Sequence, residues 1–316
     1  MTMLELINEN SSWTAPTLIE NITHGDMPGD KVKIESGHVE KASVIFPVLL
    51  ENMKVLLENK KEDKLVISVC GGSGVGKSET ASLLSYYLTS MGIDSYTMSG
   101  DNYPHRIPMY NDAERLRIFR INGIEKMLVD GVYTKERANI INELQEKNDD
   151  ANVTYCQKYD WYSSYIEGGR SGLEGYLGTT NETNFDSVNE IIEQFKDGKE
   201  KIWLKRMGRT ESELWFEEID FSDISVLVVE WTHGNNDNLV GVDIPVLLNS
   251  TPEETLAHRR MRNRDGGVDS PFIMTVLDIE QRLLEKQAEK AKIIVAKSGE
   301  LLSYQELCDR NNAKAV

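Results

Sequence analysis

The chain has 316 residues, 40 % apolar and 28 % charged, which suits a soluble globular protein with one large α/β domain or a domain plus an appendage. Its formal net charge is −17, from 52 acidic against 35 basic residues, a field that repels nucleic acid and anionic membrane, so any phosphate recognition must be local. Cys70, Cys156 and Cys308 are widely spaced without a C-x-x-C, no apolar stretch nears the ~18 residues of a membrane span, and the acidic start lacks a signal-peptide pattern; zinc, membrane and secretion are set aside for a cytoplasmic reading.

Residues 1 to about 38 are polar and carry turn signals at Gly25-Asp26, Pro28-Gly29 and Gly37. From Ala42 to Lys60, Leu49, Met53, Leu56 and Leu57 share one face of an amphipathic helix expected to pack on the core, and a candidate interface for a homo-oligomer. Residues 1–63 therefore read as an N-terminal appendage with a packing helix, and 64–316 as the main domain. Leu65 to Cys70 is a continuous apolar run, the mark of a buried strand, and Glu79 to Leu88 is a series of helix formers.

Between that strand and helix lies Gly71-Gly72-Ser73-Gly74-Val75-Gly76-Lys77-Ser78, the spacing G-x-x-x-x-G-K-S. Glycines let the backbone turn sharply and point successive N–H groups at a polyphosphate. Lys77 adds a cation near the β- and γ-phosphates, the Ser78 hydroxyl can ligate Mg²⁺, and the helix that follows presents its N-terminal dipole to the anion. Gly72 to Glu79 are accordingly the nucleotide-binding candidates (Gly72, Ser73, Gly74, Val75, Gly76, Lys77, Ser78 and Glu79), with a nucleoside triphosphate and Mg²⁺ as ligands.

Ser95 to Met98 reads as a second strand ending in Ser99-Gly100-Asp101. Within 110–200 the pattern is weak: Lys135–Glu146 and Asn184–Phe195 read as helices, while Tyr159 to Tyr176 is rich in Tyr, Trp and Gly. Ile202–Arg206, Ile224–Glu230 and Ile244–Leu248 read as strands. Thr251, Pro252 and Glu254 form a capping box that starts a helix, Ser270-Pro271 starts another running to about Ala291, and Ile293–Ala296 is a last strand. Strands alternating with helices give the expected fold class: α/β, a P-loop NTPase-type parallel sheet covered by helices on both faces, with an N-terminal appendage and a substrate-region insertion over about 104–222.

Phosphoryl chemistry needs a base or metal ligands beside the phosphates, and in an open α/β sheet these come from the carboxyl ends of strands. Asp101 and Glu230 stand there. Arg259, Arg260, Arg262 and Arg264 crowd into six residues of an acidic protein; Arg260 and Arg264 share a helix face, and guanidinium groups hold phosphoryl oxygens bidentately. Asp265-Gly266-Gly267 would let this segment, about 251–269, hinge as a lid.

With Gly71–Ser78, Gly100-Asp101-Asn102-Tyr103, Val226–Glu230 and the arginines of 259–265, the chain resembles the uridine kinase and phosphoribulokinase family of P-loop small-molecule kinases. The resemblance implies that Asp101 takes the proton of the acceptor hydroxyl and can touch Mg²⁺, and that Ser78 and Glu230 belong to the metal site. It implies that Lys77 with Arg259, Arg260 and Arg264 clamps the phosphates, and that Lys292 to Gly299 matches the late strand and turn beside the adenine. Catalysis would then rest on Asp101, Lys77, Arg260 and Arg264. One departure is Trp231, where the family has glycine after the acid. The stretch Gly100-Asp101-Asn102 is also similar to adenylylsulfate kinases, whose chains are shorter.

Candidates for gripping the acceptor are Tyr103, His105, Arg106, Arg170, Arg206, Arg209 and His233, with Tyr159, Trp161, Tyr162 and Tyr165 as stacking surfaces or a small core of their own. The reading is an ATP- and Mg²⁺-dependent kinase acting on a hydroxyl of a small metabolite: a nucleoside, sugar, sugar phosphate or hydroxy acid. The other class left open is a nucleotide-dependent switch or ATPase acting on a partner.

Overall fold

The computed structural model describes residues 1–18, 22–30, 32–59, 63–262 and 269–314. The chain begins with α1 (Met3–Glu9), closed by a capping box between Thr2 and Glu5, and α2 (Ser36–Asn59). There follow β1 (Leu65–Gly71), α3 (Lys77–Ser90), β2 (Ser95–Ser99), α4 (Pro108–Val129), α5 (Lys135–Glu146), α6 (Tyr162–Glu174) and α7 (Phe185–Lys196). After them come β3 (Lys201–Met207), β4 (Leu214–Asp220), β5 (Val226–Glu230), β6 (Ile244–Leu248), α8 (Pro252–Arg262), α9 (Pro271–Lys286), β7 (Ile293–Val295), β8 (Leu301–Leu302) and α10 (Tyr304–Lys314). Among the described residues no helix is long and apolar enough to cross a membrane.

Two units divide the chain. The first comprises Met1–Tyr103, Asn184–Ser250 and Leu284–Val316, and holds a six-stranded sheet in the order β2-β5-β1-β6-β7-β8. Its strands pair in parallel except β7 with β8. Because successive side chains of a strand point to opposite faces, an apolar run without alternation is buried on both. Leu65, Ile67 and Val69 of β1 and Val226 and Val228 of β5 enter one core with α1, α2 and α3. Val66, Leu227 and Val229 enter another with Phe185, Ile192 and Phe195 of α7.

α2 buries Ala42, Ile45, Phe46, Leu49 and Met53 against the first core, and each large apolar side chain removed from water there is worth about 1.5–3 kcal/mol. Trp13, in the turn-rich N-terminal stretch, lies 4.6 Å from the Phe46 ring and 5.1 Å from that of Tyr87 on α3. The face of α2 that carries Leu49 and Met53 is thus occupied by the chain's own core. β3, expected from Ile202–Arg206, does not join the main sheet; it pairs antiparallel with β4 as a separate hairpin. Ile202 and Leu204 anchor it in the second core, while Trp203, Leu214 and Phe216 stay exposed.

The second unit is Pro104–Thr183 with Thr251–Leu283. Its main contact is α4 against α6, and small residues allow the close approach. A Cβ on Gly168 would meet the Asn122 carbonyl oxygen at 2.4 Å, and one on Gly169 the Phe119 ring at 2.5 Å. Trp161, Tyr162 and Tyr165 are buried in the same core as Phe119, so the aromatic-rich insert packs on itself. A charged network closes the unit: Arg115 Nε donates to Glu182 at 2.6 Å and its Nη2 to Glu280 at 3.3 Å, with Glu182 almost fully buried.

Candidate active site

The site assembles in the first unit, where backbone pairing fixes it. Glu230 lies opposite Val69 on β1 and opposite Ser99 on β2. The end of β1 that opens into the phosphate loop, the turn after β2 that carries Asp101, and the acid ending β5 therefore sit together at the carboxyl ends of the parallel strands. Gly71 (φ 149°) leaves the sheet where a Cβ would lie 2.5 Å from the Leu248 carbonyl oxygen. Gly76 (φ 94°) takes the left-handed conformation as N-cap of α3, which only glycine adopts freely. The loop thus follows the path that the spacing predicts.

Lys77, from the first turn of α3, is buried and donates from Nζ to the Gly72 carbonyl at 3.3 Å. Glu230 is 5 % exposed and accepts from the Ser99 hydroxyl at 3.3 Å. Burial pushes its carboxyl up to about 7; the positive charge of Lys77 pulls it down, while Asp101 and Asp30 push it further up. Asp101 is exposed in the short turn Gly100–Asn102. A buried acid held near neutrality by desolvation, beside a lysine and an exposed acid, is what a cation and a polyphosphate would complete.

The N-terminal stretch adds three residues here that the sequence did not disclose. Lys41 of α2 is 5 % exposed and donates from Nζ to the Val75 carbonyl at 3.2 Å; burial pushes it down to about 8, with Lys297 adding to the fall and Glu79 opposing it. The His38 ring lies against Gly76, 3.1 Å from where a Cβ would stand. Asp26 bonds the residues on either side of Asp101. In the sequence Lys41 only precedes the helix expected from Ala42, and Gly25-Asp26 is a turn pair.

The acceptor candidates divide. Tyr103 is buried; its hydroxyl accepts from the Lys205 backbone N–H at 3.3 Å and lies 3.9 Å from the Met98 sulfur, which makes it a core residue. Arg206 is also buried, and its guanidinium donates to Asp26, Glu217, Tyr96 and the Lys205 carbonyl, so it offers an acceptor little. Arg209 stays exposed at the hairpin turn, where its backbone N–H donates to Glu213. The His233 ring stands 5.4 Å from Trp231 and 6.2 Å from Phe185. Trp231 itself is buried, with its ring against Gly100.

The remaining candidates lie in the second unit. His105 Nε2 is 2.8 Å from the Thr180 carbonyl, Arg106 donates to the Tyr176 hydroxyl at 3.0 Å, and Arg170 pairs with Asp278. Arg259 is buried and donates to the Pro252 carbonyl and the Thr255 hydroxyl, at 2.7 and 2.6 Å. Arg260, more exposed, pairs with Asp269 at 2.6 Å. The capping box is present, with the Thr251 N–H donating to Glu254 at 2.9 Å. Arg264 and Gly266-Gly267 lie outside the described residues.

Among the described residues no three His, Cys, Asp or Glu are grouped to cage a metal ion. Mg²⁺ does not need such a cage: it keeps waters and phosphate oxygens and takes one or two hard protein donors. The Ser78 hydroxyl and the Glu230 carboxylate are donors of that kind, and they stand at the ends of α3 and β5 beside the loop. The donor set fits Mg²⁺ bound with a nucleotide.

No family model matches the chain. It is 40 % identical over 251 residues, 79 % of its length, to a bifunctional alpha-galactosidase/sucrose kinase from Mediterraneibacter gnavus, and that match spans 22 % of the relative. A stretch that long within 316 residues has to include the phosphate loop, Asp101 and Glu230. The chain has an α/β fold with a mostly parallel sheet and a phosphate loop between β1 and α3. Among solved structures, this chain is similar to a fructose transport system kinase candidate from Silicibacter sp. TM1040, with 13 % identity, TM-score 0.47, and 78 % of this chain and 94 % of that one covered. It is also similar to D-glycerate 3-kinase from Cryptococcus neoformans, with 12 % identity, TM-score 0.46, and coverage of 85 % and 99 %.

Proposed function

We propose that the chain is an ATP-dependent kinase that transfers the γ-phosphoryl group to a hydroxyl of a sugar, with sucrose the first acceptor to test, acting in the cytoplasm. The observation that carries the reading is the phosphate loop of β1 set beside Glu230 and the Asp101 turn within one unit. The choice of a sugar follows the relative: of the two activities in its name, only the kinase uses a nucleoside triphosphate, and the matched stretch contains the triphosphate loop.

The backbone N–H groups of Gly72 to Ser78 would bind the phosphates, and Lys77 would balance charge on the β- and γ-phosphoryl oxygens. Held by Ser78 and Glu230, Mg²⁺ would supply charge neutralisation on those oxygens. Asp101, exposed in the turn at the carboxyl end of β2, would orient the acceptor hydroxyl and take its proton as the oxygen attacks phosphorus and ADP leaves. Glu230, whose carboxyl burial pushes up to about 7, would give up its proton in holding that cation. The role given to Arg260 and Arg264 rests on the sequence resemblance.

The test is ADP formation from ATP and Mg²⁺ with sucrose, fructose, glycerate and uridine offered separately. A kcat/KM for sucrose at least ~100-fold above those for the other three supports the assignment. Preference for glycerate or uridine would move the acceptor to another class, and acceptor-independent ADP release would favour a nucleotide-driven switch.

A further inference from the structure

Asp26 stands in the turn-rich N-terminal stretch, yet its side chain is only 7 % exposed and four donors converge on its carboxylate. Oδ1 accepts from the Ser99 backbone N–H at 2.7 Å and from Asn102 Nδ2 at 3.1 Å. Oδ2 accepts from the Tyr96 hydroxyl at 3.0 Å and from Arg206 Nη1 at 2.9 Å. Arg206 in turn donates to the same Tyr96 hydroxyl at 2.9 Å. Asn102 is gripped from a second side, since its Oδ1 accepts from the Met207 N–H at 3.0 Å.

Ser99 and Asn102 bracket Asp101 in the chain. A single oxygen of Asp26 therefore spans the turn Gly100–Asn102 from outside and fixes both its ends, while the Asp101 carboxylate stays exposed and makes none of these bonds. Burying a carboxylate costs several kcal/mol unless charge and hydrogen bonds compensate, and here the Arg206 guanidinium and three further donors offset part of that cost. A merely solvated turn needs no such anchor. A turn that must present an acid to a hydroxyl within a few tenths of an ångström does, because about 1 Å of misplacement can cost about 10²-fold in rate.

We propose that Asp26 is a positioning residue for phosphoryl transfer: by binding the Ser99 N–H and the Asn102 amide it sets the place of Asp101. This rests on the reading of Asp101 as the group that meets the acceptor hydroxyl. Arg206 and Asn102 act through Asp26, and the N-terminal stretch thereby becomes part of the catalytic apparatus.

The test is a cycle of Asp26→Ala and Asp101→Asn, reading kcat for transfer and, separately, ATP affinity by calorimetry. Asp26→Ala alone should lower kcat about 10- to 100-fold and leave ATP affinity within about twofold, because the phosphate loop keeps its own supports. In the Asp101→Asn background the same change should lower kcat no further. Losses that multiply in the double variant, or ATP affinity that falls along with kcat, would overturn the proposal in favour of general support of the fold. If Asp101→Asn alone leaves kcat intact, the reading of Asp101 fails first and takes the positioning role with it. Should Asp26→Ala not fold, Asn102→Ala removes one tether and leaves the Arg206 pair whole. It should give the same split between kcat and ATP affinity, and wild-type kcat in Asn102→Ala would equally overturn the proposal.

Discussion

Adding a methyl group at position 100 should damage the fold through one neighbour. A Cβ built on Gly100 would stand 2.1 Å from Cγ and 2.2 Å from Cδ2 of Trp231, where carbon atoms in contact keep about 3.5–4.0 Å. The indole cannot simply swing aside, since it is 1 % exposed and its ring lies 5.1 Å from Phe185 and 5.4 Å from His233. Overpacking of this kind costs about 1–3 kcal/mol, and Gly100→Ala should lose stability in that range. Trp231→Ala should lose about 3–5 kcal/mol through the cavity it leaves. In the double variant the new methyl group enters that cavity, so the loss should fall short of the sum by about 1–3 kcal/mol. Urea unfolding followed by far-UV circular dichroism measures all three. Strictly additive losses, or Gly100→Ala as stable as the parent, would refute the claim that glycine stands here to admit the indole.

Other outcomes follow from the same contacts. Asp101→Asn should lower kcat about 10²- to 10⁴-fold with ATP affinity near normal, whereas Lys77→Ala should weaken both; stopped-time product assays and calorimetry separate the two. Arg115→Met leaves Glu182 charged and buried in the second unit and should cost about 3–5 kcal/mol in a chemical melt; a loss under about 1 kcal/mol would contradict the network. Glu230, raised from 4.5 to about 7 by folding, binds its proton more tightly in the native state. Its contribution to stability is therefore greatest below about pH 4.5 and is lost as pH rises through 7. In metal-free buffer Glu230→Gln should match the parent near pH 5 and exceed it by up to about 3 kcal/mol at pH 8. A gain that is the same at both pH values would contradict the burial argument.

The parts legible in the sequence were those set by local chemistry. The apolar run of β1, the glycines of the loop, the capping box at Thr251 and the helix Lys135–Glu146 each depend on residues near one another in the chain. α4 and α6 were not legible because their packing uses glycine inside helices: Gly123, Gly168 and Gly169 read as loop residues until the opposing Tyr165, Asn122 and Phe119 are in place. From the sequence Arg206 is available to a substrate, and its distant partners Asp26 and Tyr96 in the fold show that it is engaged. The hairpin partner of β3 was missed because β4 is exposed along nearly all its length and has no apolar alternation to mark it.

Phosphorus NMR of ATP, Mg²⁺ and sucrose mixed with the protein is the most direct test of the central claim, that the group held by the phosphate loop is transferred to a sugar hydroxyl. The expected result is loss of the γ-phosphate signal with stoichiometric growth of ADP and of a phosphomonoester coupled to sugar protons, absent with Asp101→Asn. Growth of inorganic phosphate alone, or an unchanged ATP spectrum with every sugar tried, would contradict it.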